Sequence, residues 1–225
     1  DYNVATTVGV VDAVMAKLGI SSFALAGNSM GGWVSWNYAL AHPEKLVAMV
    51  LVDASGWPES ADEAKSDPLV FKLIANPVAR RLMKNTDMTY LVRAGLRDSF
   101  ANPDLATDEM VNRYTALARA PCHRDALMAL SAGRKSNVPA TSTALAQITV
   151  PTLILHGEQD NLIPVSAGGK FADAIPGARL ITYPDAGHLP QEELAEQSVG
   201  DLRAFLAGLN APDEAAADPE TGRAG

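Results

Sequence analysis

Four short apolar runs, separated by stretches of helical periodicity, constrain this 225-residue chain more than any other feature. They lie at residues 23–26, at 45–56 ("KLVAMVLVDASG"), at 148–160 ("ITVPTLILHGEQD") and at 178–188 ("ARLITYPDAGH"). Apolar runs of this length, without polar alternation, suit strands covered on both faces. Ahead of the first run, Val4, Val8, Val11, Met15 and Leu18 step by four, three, four and three, which is one face of a helix, and Gly19 is a natural stop. Residues 29–41 read as a second helix, ending near His42-Pro43. "VSAGGKFADAI" follows the third run and "PQEELAEQSVGDLRAFLAGL" the fourth. The latter opens with Pro190 at a helix-start position and sets Leu194, Leu202, Phe205, Leu206 and Leu209 close to one stripe. The expected fold class is α/β, a three-layer α/β/α arrangement around a mostly parallel sheet.

Residues 57–147 break the alternation. They read as several helices punctuated by Pro and Asn, with no clear strand. An insertion this long between two sheet strands is best read as a helical cap. The expected organisation is therefore a core of residues 1–56 and 148–210, a cap of residues 57–147, and a disordered tail of residues 211–225 that is poor in large apolar residues. Large apolar residues of the insertion, Phe71, Leu73, Ile74, Leu82, Met83, Met88, Tyr90, Leu91, Phe100, Met110, Tyr114 and Met128, are expected mostly to pack its helices, with some facing a pocket.

Composition excludes several classes. The net charge is −8 and no basic run is present, which argues against nucleic acid or an anionic membrane as partner. No apolar run approaches the roughly 18 residues needed to span a bilayer, so stable membrane insertion is not expected. The single cysteine, Cys122, cannot form an internal disulfide or a cysteine-based metal site, and it leans to a reducing, cytoplasmic location.

In open parallel sheets, sites form beyond the C-terminal ends of the strands. Here those ends carry Ser29, Asp53, Asp160 and His188. Gly27-Asn28-Ser29-Met30-Gly31 matches G-x-S-x-G, a strained strand-to-helix turn that lifts a hydroxyl clear of the sheet and needs small neighbours, here Gly27 and Gly31. The turn also aims the Met30 amide and a helix N-terminus at the place where an oxyanion would form. Serine is a weak nucleophile and needs a base. His188, in a loop entering a helix, is the candidate; His42 and His123 read as ordinary surface or core residues, and His156 as a brace for the turn bearing the acid. Asp160 is the candidate orienting carboxylate. Asp53 is the reserve acid, read first as a turn residue.

These segments resemble the α/β-hydrolase fold family. "GNSMGG", "LILHGEQDNLIP" and "DAGHLPQEE" are similar to its nucleophile, acid and histidine segments, in the family's order and at separations of 131 (160 − 29) and 28 (188 − 160) residues. The resemblance covers about residues 2–209. It implies Ser29 as nucleophile, Asp160 as acid, His188 as general base and the Met30 amide as one oxyanion donor, with no metal or cofactor. The family's sheet usually has eight strands, of which only the last four are readable here. The segment that usually supplies the second oxyanion donor is not recognisable, and the first strand is left with an apolar edge. A fragment of a longer product is the favoured explanation, ahead of pairing with a second chain or a compact variant, and robust activity of these 225 residues alone is not expected.

A serine nucleophile implies acyl transfer to water, and a carboxylesterase or lipase-like esterase acting on small apolar or aryl esters is the leading expectation. The alternative is a carbon–carbon bond hydrolase of aromatic ring-cleavage products. "GNSMGG" is similar to that group, but its members usually have Trp after the catalytic histidine, where this chain has Leu189. From another class, a non-catalytic ligand-binding protein of the same fold, or an inactive fragment, completes the field.

Overall fold

A computed structural model describes residues 3–58, 76, 78, 87–133 and 138–209. Helix α1 (Val4–Leu18) starts where the Asn3 side chain accepts the Thr6 amide, and it stops at Gly19, whose φ of 69° closes the last turn. Strand β1 (Phe23–Asn28) and helix α2 (Met30–Ala41) meet at Ser29. A single turn, Pro43–Lys45, leads to β2 (Leu46–Val52). Within the insertion lie α3 (Thr89–Ser99), α4 (Asp108–Arg119) and α5 (His123–Gly133), followed by the short α6 (Ser142–Leu145). The alternation resumes with β3 (Thr152–Gly157), α7 (Val165–Ala174), β4 (Arg179–Tyr183), the single turn α8 (Pro190–Glu193) and α9 (Ala195–Gly208).

All strand pairs are parallel, in the order β1-β2-β3-β4, so every reactive strand end points to one edge of the sheet. The two central strands explain the unbroken apolar runs. Met49, Leu51 and Ile154 face the layer that holds Val8 of α1, Trp33 and Trp36 of α2 and Phe171 of α7. Val50, Val52, Leu153 and Leu155 face the opposite layer, where Leu202 and Phe205 of α9 pack. Three layers follow, as the sequence implies.

The α1 stripe ends sooner than its periodicity suggests. Val8 is buried and Val4 and Val11 pack on the core, but Leu18 is 63% exposed. The helix packs chiefly on α2, and β1 has a hydrogen-bonded neighbour on one side only among the described residues.

In the insertion, Leu96, Phe100, Ala106 and Val111 form one apolar cluster with Leu189, and Met88 pairs with Met128 in another. Tyr90, in contrast, is exposed. Phe71, Leu73, Ile74, Leu82, Met83 and the segment 211–225 lie outside the described residues. No helix among the described residues is long and apolar enough to cross a membrane.

Candidate active site

Ser29 sits at the β1–α2 junction with φ 55° and ψ −115°, a region that costs a non-glycine residue about 1–3 kcal/mol. The turn is held from β2. The Ser29 amide donates to Val52 O at 2.9 Å, while Ser29 O accepts from the Ser55 amide at 3.0 Å and from Ser55 Oγ at 3.1 Å. Packing makes the strain tolerable through two glycines. A Cβ on Gly27 would stand 2.2 Å from Gly31 C and O, and one on Gly32 would stand 2.4 Å from the Ala54 methyl. A Cβ on Gly31 would meet nothing within 4 Å, so the steric need placed on Gly31 from the motif falls on Gly32 instead. Met30 opens α2, where main-chain amides have no partner within the helix and point beyond its end.

Asp160 and His188 come together although 28 residues separate them. His188 Nδ1 and Asp160 Oδ2 are 2.7 Å apart, the length of a charge-assisted bond, and both side chains are buried. Asp160 Oδ1 accepts the Leu162 and Ile163 amides at 2.7 and 3.0 Å, so the turn after β3 wraps its own carboxylate. Burial alone would raise the Asp160 pKa. The His188 bond and charge, with the two amides, outweigh it and hold the carboxyl below its usual value. With Nδ1 engaged, Nε2 is the ring nitrogen left to take a proton.

The histidine loop is fixed by residues that the sequence motif does not reveal. The His188 amide donates to Ser99 O at 2.7 Å, and Asn28 Nδ2 donates to His188 O at 3.0 Å and to Val52 O at 3.2 Å. Asn28 thus ties the His188 loop to the Ser29 turn. Glu193 accepts from the Gly187 amide at 2.8 Å and from the Ala101 amide at 2.7 Å. It joins the base loop to the chain just beyond α3. Next to it, both Glu192 carboxylate oxygens accept from Arg113 Nη2, and Oε1 also accepts from the Tyr114 hydroxyl, both residues lying on α4. The signal for Glu193 was an acid in the first turn after Pro190. Nothing local says which amides it would reach. Close approach of the two loops also fixes Gly157, where a Cβ would stand 1.9 Å from Gly187 O.

The remaining histidines fall as read. His156 Nε2 bonds Ile163 O at 3.2 Å, bracing the Asp160 turn, and burial lowers its pKa. His42 ends α2 against Tyr38, and His123 is exposed. Asp53, the reserve acid read first as a turn residue, does follow β2 at a bend, and it is deep inside the protein. It is fully buried with φ 42°, accepts the Gly157 amide at 3.0 Å, and stands beside Asp160. The ligand atoms of Asp53, Asp160 and His188 lie within 4.8 Å of one another, the one such group among the described residues. Any ion there would compete for the Nδ1 and Oδ2 atoms already bonded to each other.

Comparison with known proteins agrees with this fold. A family profile described as alpha/beta hydrolase fold matches residues 1–194. The chain is 30% identical over 190 residues to a 2-hydroxy-6-oxononadienedioate/2-hydroxy-6-oxononatrienedioate hydrolase of Comamonas testosteroni, covering 83% of this chain and 63% of that one. It is also 30% identical over 203 residues to a bifunctional esterase/perhydrolase of Acinetobacter calcoaceticus, covering 87% and 71%. The fold is shared with a meta-cleavage product hydrolase from Pseudomonas fluorescens, at a TM-score of 0.76 and 21% identity over 93% of this chain and 74% of that one. The chain thus spans under two thirds of the length of the first of these relatives. A parallel sheet with a strained serine turn at one strand end and a buried Asp–His pair at two others, matched by the profile over most of its length, places this chain in the α/β-hydrolase fold family.

Proposed function

We propose that this chain carries the catalytic centre of a serine hydrolase that cleaves a carbon–carbon bond beside a ketone in 2-hydroxy-6-oxo-dienoate substrates. The observation that carries the hydrolase reading is the 2.7 Å bond between buried Asp160 and His188, at the same sheet edge as the strained Ser29 turn. The bond class is supported by the relatives. Several, from Comamonas, Burkholderia and Pseudomonas, are named as hydrolases of such dienoates or of 2-hydroxymuconate semialdehyde. That support favours the alternative over the ester reading which led from sequence.

In this mechanism Ser29 Oγ attacks the ketone carbon while His188 Nε2 takes its proton, and the Met30 amide holds the developing oxyanion. Collapse breaks the bond between the former ketone carbon and its dienoate neighbour. This requires the substrate's 2-hydroxyl to have ketonised first, its proton passing to the dienoate carbon beside the ketone; the electron pair then leaves as a dienolate delocalised onto the C2 oxygen, which takes the proton from His188. An acyl group remains on Ser29. Water, deprotonated by His188, releases it as a carboxylic acid. Asp160 keeps Nδ1 protonated and the ring oriented throughout.

Residues 57–147 act as the cap in this reading, with Leu189 packed beneath α3 and α4 where the carbon–carbon hydrolases usually have Trp. A smaller apolar side chain there leaves more room above the histidine and favours a bulky acyl side. Ester hydrolysis stays as the second reading, because it needs the same three residues and the Acinetobacter relative is named as an esterase.

Loss of colour of 2-hydroxy-6-oxo-6-phenylhexa-2,4-dienoate, with release of benzoate, tests the proposal. Ser29→Ala should abolish both. Turnover of p-nitrophenyl esters without dienoate loss would return the reading to an esterase. Binding of either compound without turnover would make the protein a receptor on this fold.

A further inference from the structure

Among the described residues, Asp53 is the one buried acid that the mechanism above does not use. Its carboxyl lies at 0% exposure behind the Asp–His pair, and its backbone is held at φ 42°. A left-handed conformation at a non-glycine residue persists only where the surroundings fix it. Here they do, because the Asp53 amide donates to Leu155 O at 2.9 Å and Oδ1 accepts the Gly157 amide at 3.0 Å. The side chain therefore cannot swing out to water. Its second oxygen, Oδ2, is buried with no hydrogen-bond partner by geometry.

The charged and titratable groups around it come from every neighbouring element. Asp160 of the turn after β3 is nearest in kind, with ligand oxygens within 4.8 Å. From β3, His156 Nε2 is 3.5 Å from Asp53 Oδ1, but that nitrogen donates to Ile163 O. Its other nitrogen, Nδ1, is buried and bare, so the ring is neutral and supplies no counter-charge. From the loop after β4 and the following turn come His188, engaged with Asp160, and Glu193, a further negative charge. On β4, Tyr183 gives its hydroxyl to Asp201.

Two buried carboxylates this close do not both ionise. Their donors decide which one keeps the charge. Asp160 receives three, the His188 ring and two amides, whereas Asp53 receives one. We propose that Asp53 is a neutral carboxylic acid whose Oδ2 proton is shared with the Asp160 carboxylate, so that the group orienting His188 is a carboxyl pair. Burial, together with the Asp160 charge, pushes the Asp53 pKa up to about 9 against the pull of the Gly157 amide. Asp53 is then a positioning residue. It fixes the plane of the Asp160 carboxylate and keeps a second negative charge away from His188 at neutral pH. On ionising, it would place that charge there.

The decisive experiment needs no turnover, so it stands or falls separately from the proposed activity. Infrared difference spectra of protein carrying ¹³C-labelled aspartate, wild type minus Asp53→Asn, should show a protonated-carboxyl band at pH 7 that disappears with a midpoint near 9. Absence of the band in the wild type at pH 7, or its persistence in Asp53→Asn, would overturn the proposal. If Asp53→Asn does not fold, the wild-type band and its pH midpoint decide alone. The kinetic arm rests on the hydrolase reading. Asp53→Ala should lower kcat about tenfold with little change in KM, and Asp53→Asn, a neutral donor of the same shape, should recover most of that loss and flatten the alkaline limb of the pH profile. An Asp53→Asn variant as inactive as Asp160→Asn would show that Asp53 works as an anion and would refute the pair.

Discussion

Replacing Asp53 by Asn should stabilise this protein, and by more as the pH rises. In the folded chain Asp53 keeps its proton up to about pH 9, whereas the unfolded chain releases it near the ordinary value of 3.8. Between these values the unfolded state binds fewer protons, so stability falls with rising pH by about 1.4 kcal/mol for each unit. The loss is absent below pH 4, reaches about 4 kcal/mol at pH 7 (3.2 units), and levels off above pH 9. Asn is neutral at every pH, its carbonyl can accept the Gly157 amide, and its amide can face Asp160. Wild type and Asp53→Asn should therefore unfold alike near pH 4 and diverge by about 4 kcal/mol at pH 7. For a chain of this size that is roughly 8–16 °C in Tm. Urea unfolding at pH 5, 6, 7 and 8 gives the slope directly. Parallel stability curves over that range would show that Asp53 is ionised in the folded protein, and the reasoning from its burial would fail.

Two further outcomes follow from the site. Asp160→Asn should leave the fold intact but lower kcat by about 10⁴, because an amide facing Nδ1 no longer fixes the productive tautomer; a loss under tenfold in dienoate turnover would remove Asp160 from the dyad. Alanine at the two adjacent glycines of α2 should act in opposite directions. Gly31→Ala should stabilise by about 0.5–1 kcal/mol, since its Cβ meets open space in a helix, whereas Gly32→Ala should destabilise through its collision with Ala54; thermal denaturation of both variants gives the signs, and equal shifts would refute the packing argument.

Much of the framework was legible because it depends on local signals. Gly19 ends α1 at the residue that its conformational freedom suggests, and the apolar runs mark all four strands. Ser29, Asp160 and His188 could be singled out as candidates because each sits just past a strand, and parallel strands bring such ends to one edge. What stayed hidden depends on contacts across the fold. Asp53 looks like any aspartate after a strand, and only its burial between β3 and the acid loop gives it a different role. Glu193 and Asn28 act through backbone groups, which carry no side-chain signature in the sequence. Gly31 and Gly32 are indistinguishable as letters, and the position of Ala54 separates them. Leu18 likewise fits the α1 period yet is exposed, which the period alone does not reveal.

The unit formed by β3, α7, β4 and the loop that follows has a consequence for the order in which the site is assembled. It holds Asp160 and His188, the candidate acid and base, 28 residues apart beyond neighbouring strands, so this half of the candidate site can form from one contiguous stretch of chain. The nucleophile joins by closing a loop of 131 residues (160 − 29). Loop-closure entropy grows only with the logarithm of length, so closing the longer loop costs about 1.4 kcal/mol more than closing the shorter one. A large insertion between β2 and β3 can therefore change in length or sequence at small entropic cost to the site. The serine turn has its own local unit, since β1 and β2 pair across 23–24 residues and β3 and β4 across 26, so the two units should form first and the long-range pairing of β2 with β3 should come last. Hydrogen exchange during refolding should accordingly protect the amides that join β1 to β2 and β3 to β4 before those that join β2 to β3.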